Sequence, residues 1–146
     1  MKVLVLNGPN LDLLGTREPD TYGSTTLAEL TDSLDAVAPE LGLTLRHAQS
    51  NSESDLLAEV RVAMGDGTEG IVINAAGFTH TSVVLRDALI ASQLPFIEVH
   101  ISNVHARESF RHTSLLADVS SGVITGCGIV GYELALRALT GRIGAR

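Results

Sequence analysis

The stretch VLVLNGPNLDLLGTREPDTYG, Val3 to Gly23, decides the architecture. Val3-Leu4-Val5-Leu6 is a continuous apolar run that stops abruptly at Asn7-Gly8-Pro9-Asn10. A run with no polar face suits a strand covered by helices on both sides, and turn-forming residues close it. A short apolar patch, Leu11 to Leu14, leads into a Gly- and Pro-marked polar segment that carries Arg17 and Tyr22. The reading is a buried strand, Lys2 to Leu6, a tight turn at its carboxyl end, and a loop with two chemically useful side chains.

Working outward, apolar runs alternate with helical patterns, as βαβ units do. Thr26 and Glu29 have the spacing of a capping box. Leu27, Leu30, Leu34 and Leu41 then recur at helical intervals, with Pro39 expected to shorten the last turn and Gly42 to stop it. Strand two is expected over Thr44 to Ala48 and a helix over Asp55 to Met64. Strand three, Gly70 to Asn74, is continuous and β-branched. A helix over Ser82 to Ala91 and strand four over Phe96 to Ile101 follow. Ser102 to Ser114 reads as loop with a short helical piece near Arg107 to Phe110. Strand five is expected over Gly122 to Thr125, then a helix over Val130 to Leu139. Gly141 to Arg146 is expected to fray. Five strands with interleaved helices imply a flavodoxin-like α/β fold, a parallel sheet of order 2-1-3-4-5 with helices on both faces, as one domain over residues 1–146. Ligands of such sheets bind at the carboxyl ends of the strands, where the order reverses, here between strands one and three.

Composition narrows the chemistry. The chain has 146 residues and a formal charge of −7, which argues against a nucleic-acid surface. Basic residues do not cluster as a membrane surface would require, no apolar run approaches the ~18 residues of a transmembrane helix, and no signal pattern is visible. With a single cysteine, Cys127, a disulfide framework is excluded and a cytoplasmic setting is expected. Cys127 itself, between glycines, reads as a small packing residue. The 10 basic residues include one lysine, Lys2. A Schiff-base lysine within a site is therefore not expected.

The polar residues gather at the carboxyl edge of the central strands. Asn7 and Asn10 follow strand one, and Asn74 ends strand three with His80 beyond it. Glu98, His100 and Ser102 lie at the end of strand four, with Arg107 and Arg111 on the next loop. The pair Glu98 and His100, two apart on a strand, shares a face. No HExxH or CxxC pattern suggests a metal, no GxSxG elbow a nucleophile, and no GxGxxG or GxxxxGK a phosphate loop. Acid–base work on a polar, anionic small molecule remains. Asn10, Asn74, His80 and the backbone N–H groups of Ile101 and Ser102 are candidate donors, and Arg17 and Arg111 candidate cations. A phenol of ordinary pKa ~10 becomes a base only beside cations that favour its phenolate. Tyr22 lies five residues from Arg17 on the same loop. Each of these residues also has a plainer reading: Tyr22 as a loop tyrosine, His100 as a core histidine, Asn7 and Asn74 as strand caps. Arg107 and Arg111, four apart, could form a solvated helical face.

The chain resembles the type II 3-dehydroquinate dehydratases. Asn7-Gly8-Pro9-Asn10-Leu11, Leu14-Gly15-Thr16-Arg17-Glu18-Pro19 with Tyr22-Gly23, Gln49-Ser50-Asn51, and Asn74-Ala75-Ala76 with Thr79-His80-Thr81-Ser82 carry the resemblance. So do Glu98-Val99-His100-Ile101-Ser102-Asn103 and Arg107-Glu108-Ser109-Phe110-Arg111-His112. Asp12, where Asn is frequent, is a small departure. The resemblance implies a reversible anti elimination of water from 3-dehydroquinate, giving 3-dehydroshikimate through an enolate, with no cofactor and no metal. It implies Tyr22 as the base, kept anionic by Arg17 with Arg111 in support, and Asn10 stabilising the enolate through a water. It implies His100 as the acid, oriented by Glu98. Asn74, His80 and Arg111 would hold hydroxyls, Ile101 and Ser102 the carboxylate, and Asp87 would reach in from a neighbouring subunit of a homododecamer of four trimers. The role of Arg107 stays open. Gly15 to Gly23 are expected to form a lid. A flavodoxin-like module binding a nucleotide or FMN is the second reading, weakened by the missing phosphate loop.

Overall fold

A computed structural model describes residues 1–145. Five strands form one parallel sheet of order β2-β1-β3-β4-β5, as the alternation of patterns implies. They are β1 (Lys2–Asn7), β2 (Thr44–Gln49), β3 (Thr68–Asn74), β4 (Phe96–His100) and β5 (Gly122–Thr125). The helices are α1 (Pro19–Tyr22), α2 (Leu27–Val37), α3 (Glu53–Gly65), α4 (Val83–Ser92) and α5 (Val130–Gly144).

Alternate residues of the central strands feed two separate cores. Val3, Val5, Val72, Ile97 and Val99 pack under α2 and α5, with Leu30, Leu34, Leu136 and Leu139. Leu4, Leu6, Ile71, Ile73 and Phe96 pack under α3 and α4, with Leu56, Val60, Leu85 and Leu89. With both faces buried, the strands have no polar side to show, and this explains their unbroken apolar runs. Large fully buried aliphatic side chains contribute about 1.5–3 kcal/mol each.

Local chemistry sets the helix boundaries. Thr26 Oγ1 accepts the Glu29 backbone N–H and starts α2. Serine hydroxyls do the same for α3 at Ser52 and for α4 at Ser82. Pro39 ends α2 early: Ala38–Leu41 tightens to a 3₁₀ turn, stopped by Gly42 at φ +68°. The expected fraying from Gly141 does not extend over the helix, because α5 runs to Gly144. Ile143 packs against the α2/α5 core, and with Leu139 it fills the space over Gly70. Arg146 lies outside the described residues.

Two close approaches shape the site edge. A Cβ on Gly8 would lie 2.6 Å from the Ala75 carbonyl oxygen, and the Gly8 N–H donates to the Asn74 carbonyl at 2.8 Å. Glycine is therefore required where the turn after β1 crosses the end of β3. Tyr132, on α5 and 0 % exposed, ties the same two ends together. Its hydroxyl donates to Asn7 Oδ1 at 2.6 Å and accepts from Asn74 Nδ2 at 2.9 Å. Burial, only partly offset by the Asn74 bond, pushes the phenol well above its ordinary range and keeps it neutral.

The opposite, amino-terminal edge of the sheet holds an ion cluster. Lys2 Nζ lies 2.8 Å from Asp66, and Arg46 pairs with Glu59. Arg46 Nε is 3.2 Å from Asp66 in charge contact but without hydrogen-bond alignment. The Lys2 ammonium, and after it the Thr68 hydroxyl, hold the Asp66 carboxyl well below the usual carboxylate range.

Candidate active site

A cleft of about 180 Å³ opens at the carboxyl ends of β1, β3 and β4, the edge where the strand order reverses. The turn after β1 contributes Asn10, the segment that follows it Arg17 and Tyr22, and the end of β3 Asn74. His80 enters from the 3₁₀ turn Ala76–His80, and His100, Ile101 and Ser102 from the end of β4. Arg107 and Arg111 close the far side. Nine of the eleven residues singled out in the sequence thus line one cleft. Glu98 lies directly behind it. Asp87 does not reach it: the residue is exposed on α4 beside Leu57, Arg61, Met64 and Val84.

The turn is strained where it meets the cleft. Asn10 has φ +69°, a left-handed conformation that Asn tolerates better than most residues. Its N–H is held by Asn51 Oδ1 at 2.9 Å, and Gln49 Nε2 braces Asn51 and the Gly8 carbonyl. Ala76, at the cleft floor, has φ +51°, a cost that persists only where surroundings enforce it. The Ala76 N–H donates to Asn74 Oδ1 at 3.1 Å. Together with the Tyr132 bond, this fixes both ends of the Asn74 amide. Asp12 is exposed and does not line the cleft.

Tyr22 meets two guanidinium groups. Arg107 Nη1 donates to its hydroxyl at 2.7 Å and to Ser102 Oγ at 3.3 Å. Arg107 and Arg17 also lie 5.5 and 5.9 Å from the ring centroid. Arg111 is not the cation on the hydroxyl. It pairs with Glu108 and stacks on Phe110 at 5.0 Å, which leaves it at the cleft wall. Sequence reasoning left Arg107 open because its spacing from Arg111 fits a solvated helix face equally well. The segment is irregular instead, with 3₁₀ turns at Val104–Ala106 and Ser109–Arg111. Arg107 therefore turns into the cleft, where His112 Nε2 donates to its carbonyl at 3.0 Å.

The acid side is a buried hydrogen-bond centre. Glu98 is 0 % exposed and accepts from His100 Nε2 at 2.7 Å. Thr79 Oγ1 donates to it at 3.1 Å and Ser114 Oγ at 2.8 Å. Burial alone would raise the Glu98 pKa, but the bonds from His100, Ser114 and Thr79 outweigh it and hold the carboxyl below its ordinary value. A carboxylate accepts only, so His100 carries its proton on Nε2 and leaves Nδ1 for a ligand. His80 is the reverse case: Nδ1 donates to the Thr113 carbonyl at 2.7 Å, leaving Nε2 free. The two rings stack with centroids 6.5 Å apart. Thr79 stands in a segment that carries the resemblance but has no role assigned from sequence, and Ser114 has no sequence signal; both are small polar residues in irregular segments.

Neither the Ile101 nor the Ser102 backbone N–H finds a backbone acceptor among the described residues. Both are therefore available to an anion. No three His, Cys, Asp or Glu side chains converge as metal donors among the described residues. The arrangement offers a cation-held phenol on one side, an imidazole–carboxylate pair on the other, and amide donors between them.

Comparisons with known proteins place the chain in a family. The profile of the family "Dehydroquinase class II" matches residues 1–140. The chain belongs to the class II dehydroquinase family. A 3-dehydroquinate dehydratase of Edwardsiella ictaluri is 56% identical over 141 residues, covering 97% of this chain and 94% of the relative. Among solved structures, the type II dehydroquinase of Propionibacterium acnes superposes with a TM-score of 0.91 at 45% identity, covering 96% of each chain. That of Butyrivibrio crossotus gives 0.93 at 42% identity, covering 95% of this chain and 97% of its own. The likeness extends over nearly the whole length of the chain.

Proposed function

We propose that the chain catalyses the reversible anti dehydration of 3-dehydroquinate to 3-dehydroshikimate. One observation carries this reading: a tyrosine hydroxyl bonded to an arginine faces the same cleft as an imidazole backed by a buried carboxylate. Tyr22, as phenolate, takes the C2 proton beside the ketone. Arg107 and Arg17 favour that anionic form through charge. The electron pair moves onto the ketone oxygen, and Asn10 steadies the enolate through a bound water. The enolate collapses and the C1 hydroxyl leaves; His100, entering this step as imidazolium, gives it the Nδ1 proton to make water, while its Nε2–H stays on Glu98. Asn74, His80 and Arg111 hold ring hydroxyls, and the Ile101 and Ser102 N–H groups hold the carboxylate. No step calls for a cofactor or a lysine.

Residues 15–23 act as the lid that brings Arg17 and Tyr22 over the substrate and excludes water. The working protein is a homododecamer of four trimers in the cytoplasm, with Asp87 of one subunit approaching the cleft of the next. Its exposure on α4, away from its own cleft, supports this role.

The test is Tyr22→Phe, followed by the enone absorbance of dehydroshikimate after 3-dehydroquinate is added. Turnover should fall by roughly 10²–10⁴, the range for losing a general base, with the fold intact by circular dichroism. Substantial residual turnover would remove Tyr22 from the base role. No absorbance change with the wild-type protein would overturn the activity itself.

A further inference from the structure

Ser114 is not one of the cleft-lining groups, yet three consecutive residues around it grip the acid side. The Thr113 carbonyl accepts from His80 Nδ1 at 2.7 Å. The Ser114 hydroxyl reaches both Glu98 oxygens, at 2.8 and 3.0 Å. The Leu115 N–H donates to the Thr79 carbonyl at 2.8 Å.

The hydroxyl of Ser114 has no freedom to turn. Its oxygen accepts the backbone N–H groups of Leu116 and Ala117, each at 3.0 Å. A hydroxyl has two acceptor lone pairs and one proton. With both lone pairs taken, the proton is left for Glu98 alone. Glu98 Oε1 also has His100 and Thr79, but Oε2 has no other protein donor among the described residues. In a buried site, an unpartnered carboxylate oxygen carries a large desolvation cost. The geometry points to Ser114 as a positioning residue that keeps Glu98 ionised and aligned, and through it fixes the proton and the ring orientation of His100. The same three-residue clip fixes the tautomer of His80.

The groups facing Glu98 are few. On the flanking strands its register neighbours are Ile73 and Val123, neither of which titrates. His100 shares its strand, Thr79 and His80 come from the 3₁₀ turn after β3, and Ser114 from the segment before β5. Beyond His80 and His100, the charged and titratable groups of the cleft are Arg17, Tyr22, Arg107 and Arg111. Loss of the Ser114 hydrogen bond, which favours the charged form, must therefore raise the proton affinity of Glu98.

This inference rests on the reading of His100 as the acid, and its test separates the two. Ser114→Ala should move the low-pH limb of kcat upward by roughly one pH unit, as expected for one charge-assisted bond. At neutral pH kcat should fall roughly tenfold with KM nearly unchanged, a part of the general-acid contribution. The ¹⁵N signals of the His100 ring should shift, and Ser114→Thr, which keeps the hydroxyl, should restore kcat, pH limb and signals. A lower thermal midpoint with an unmoved pH limb and unmoved His100 signals would reduce Ser114 to a turn-capping residue and overturn the inference. Ser114→Cys, of similar size with a weaker donor, gives the same readings if the alanine variant does not fold. Full turnover by His100→Ala would instead overturn His100 as the acid, and the ¹⁵N comparison would still decide the hold of Ser114.

Discussion

Two arginines four residues apart do different work, and the difference is one of direction. Arg107 reaches the Tyr22 hydroxyl, whereas Arg111 is tied to Glu108 at the wall. Arg107→Ala should therefore lower kcat by roughly 10²–10³, the scale for losing one preorganised charge partner, with a smaller change in KM. Arg111→Ala should mainly raise KM. Steady-state kinetics on the two variants separate the roles, and equal effects on kcat would contradict the assignment. Glu98 carries a second residue-level expectation. Its folded-state pKa lies below the unfolded value of ~4.3. Between the two the unfolded chain binds more protons, so the group stabilises the fold above that pH and the contribution is lost as pH falls. Urea midpoints from pH 7 downward should drop more steeply for the wild-type protein than for Glu98→Gln, which cannot ionise.

At the scale of elements, the proposed lid has little support of its own. Within residues 15–23, α1 is a single turn with no buried residue, entered through Glu18 at φ +44°. Amides here should exchange with solvent faster than those of α5, and a substrate analogue that brings Tyr22 and Arg17 onto it should slow them; unchanged exchange on binding would deny the segment a closing role. Strands and long helices were legible in the sequence because two cores impose unbroken apolar runs and a 3.6-residue rhythm. The parallel sheet followed from that alternation, and order 2-1-3-4-5, with the position of the cleft, followed from the likeness to flavodoxin. Less was legible where single polar contacts decide. Strand β3 starts at Thr68, two residues before the apolar run, because Asp66 Oδ1 holds the Thr68 backbone N–H at 3.0 Å. The inward turn of Arg107 rests on 3₁₀ geometry and on His112, for which no periodicity exists. The Asn7–Tyr132–Asn74 link spans 125 residues from Asn7 to Tyr132, beyond the reach of any local pattern.

For the whole molecule, the placing of Asp87 is the decisive matter. Its side of α4 faces a shallow apolar concavity with Leu57, Met64 and Val84, rimmed by Arg61. If this face meets another subunit, solution sizing should return an assembly far above the 15.4 kDa chain. Asp87→Arg should then reduce both assembly and turnover, and a fully active monomer would refute the shared site. The elements that hold the cleft are themselves joined across the fold, since α5 reaches β1 and β3 through one tyrosine. A change there would loosen the turn carrying Asn10 and the amide of Asn74 together.

The ion cluster at the far edge of the sheet has a practical consequence. Lys2 is the one lysine of the chain, and both it and the Met1 amine lie where the strands begin. The cleft lies where they end. The one lysine amine of the chain therefore sits on the side opposite the chemistry. An amine-reactive support or dye would take hold of each protomer from behind and in one orientation, with the cleft left facing outward.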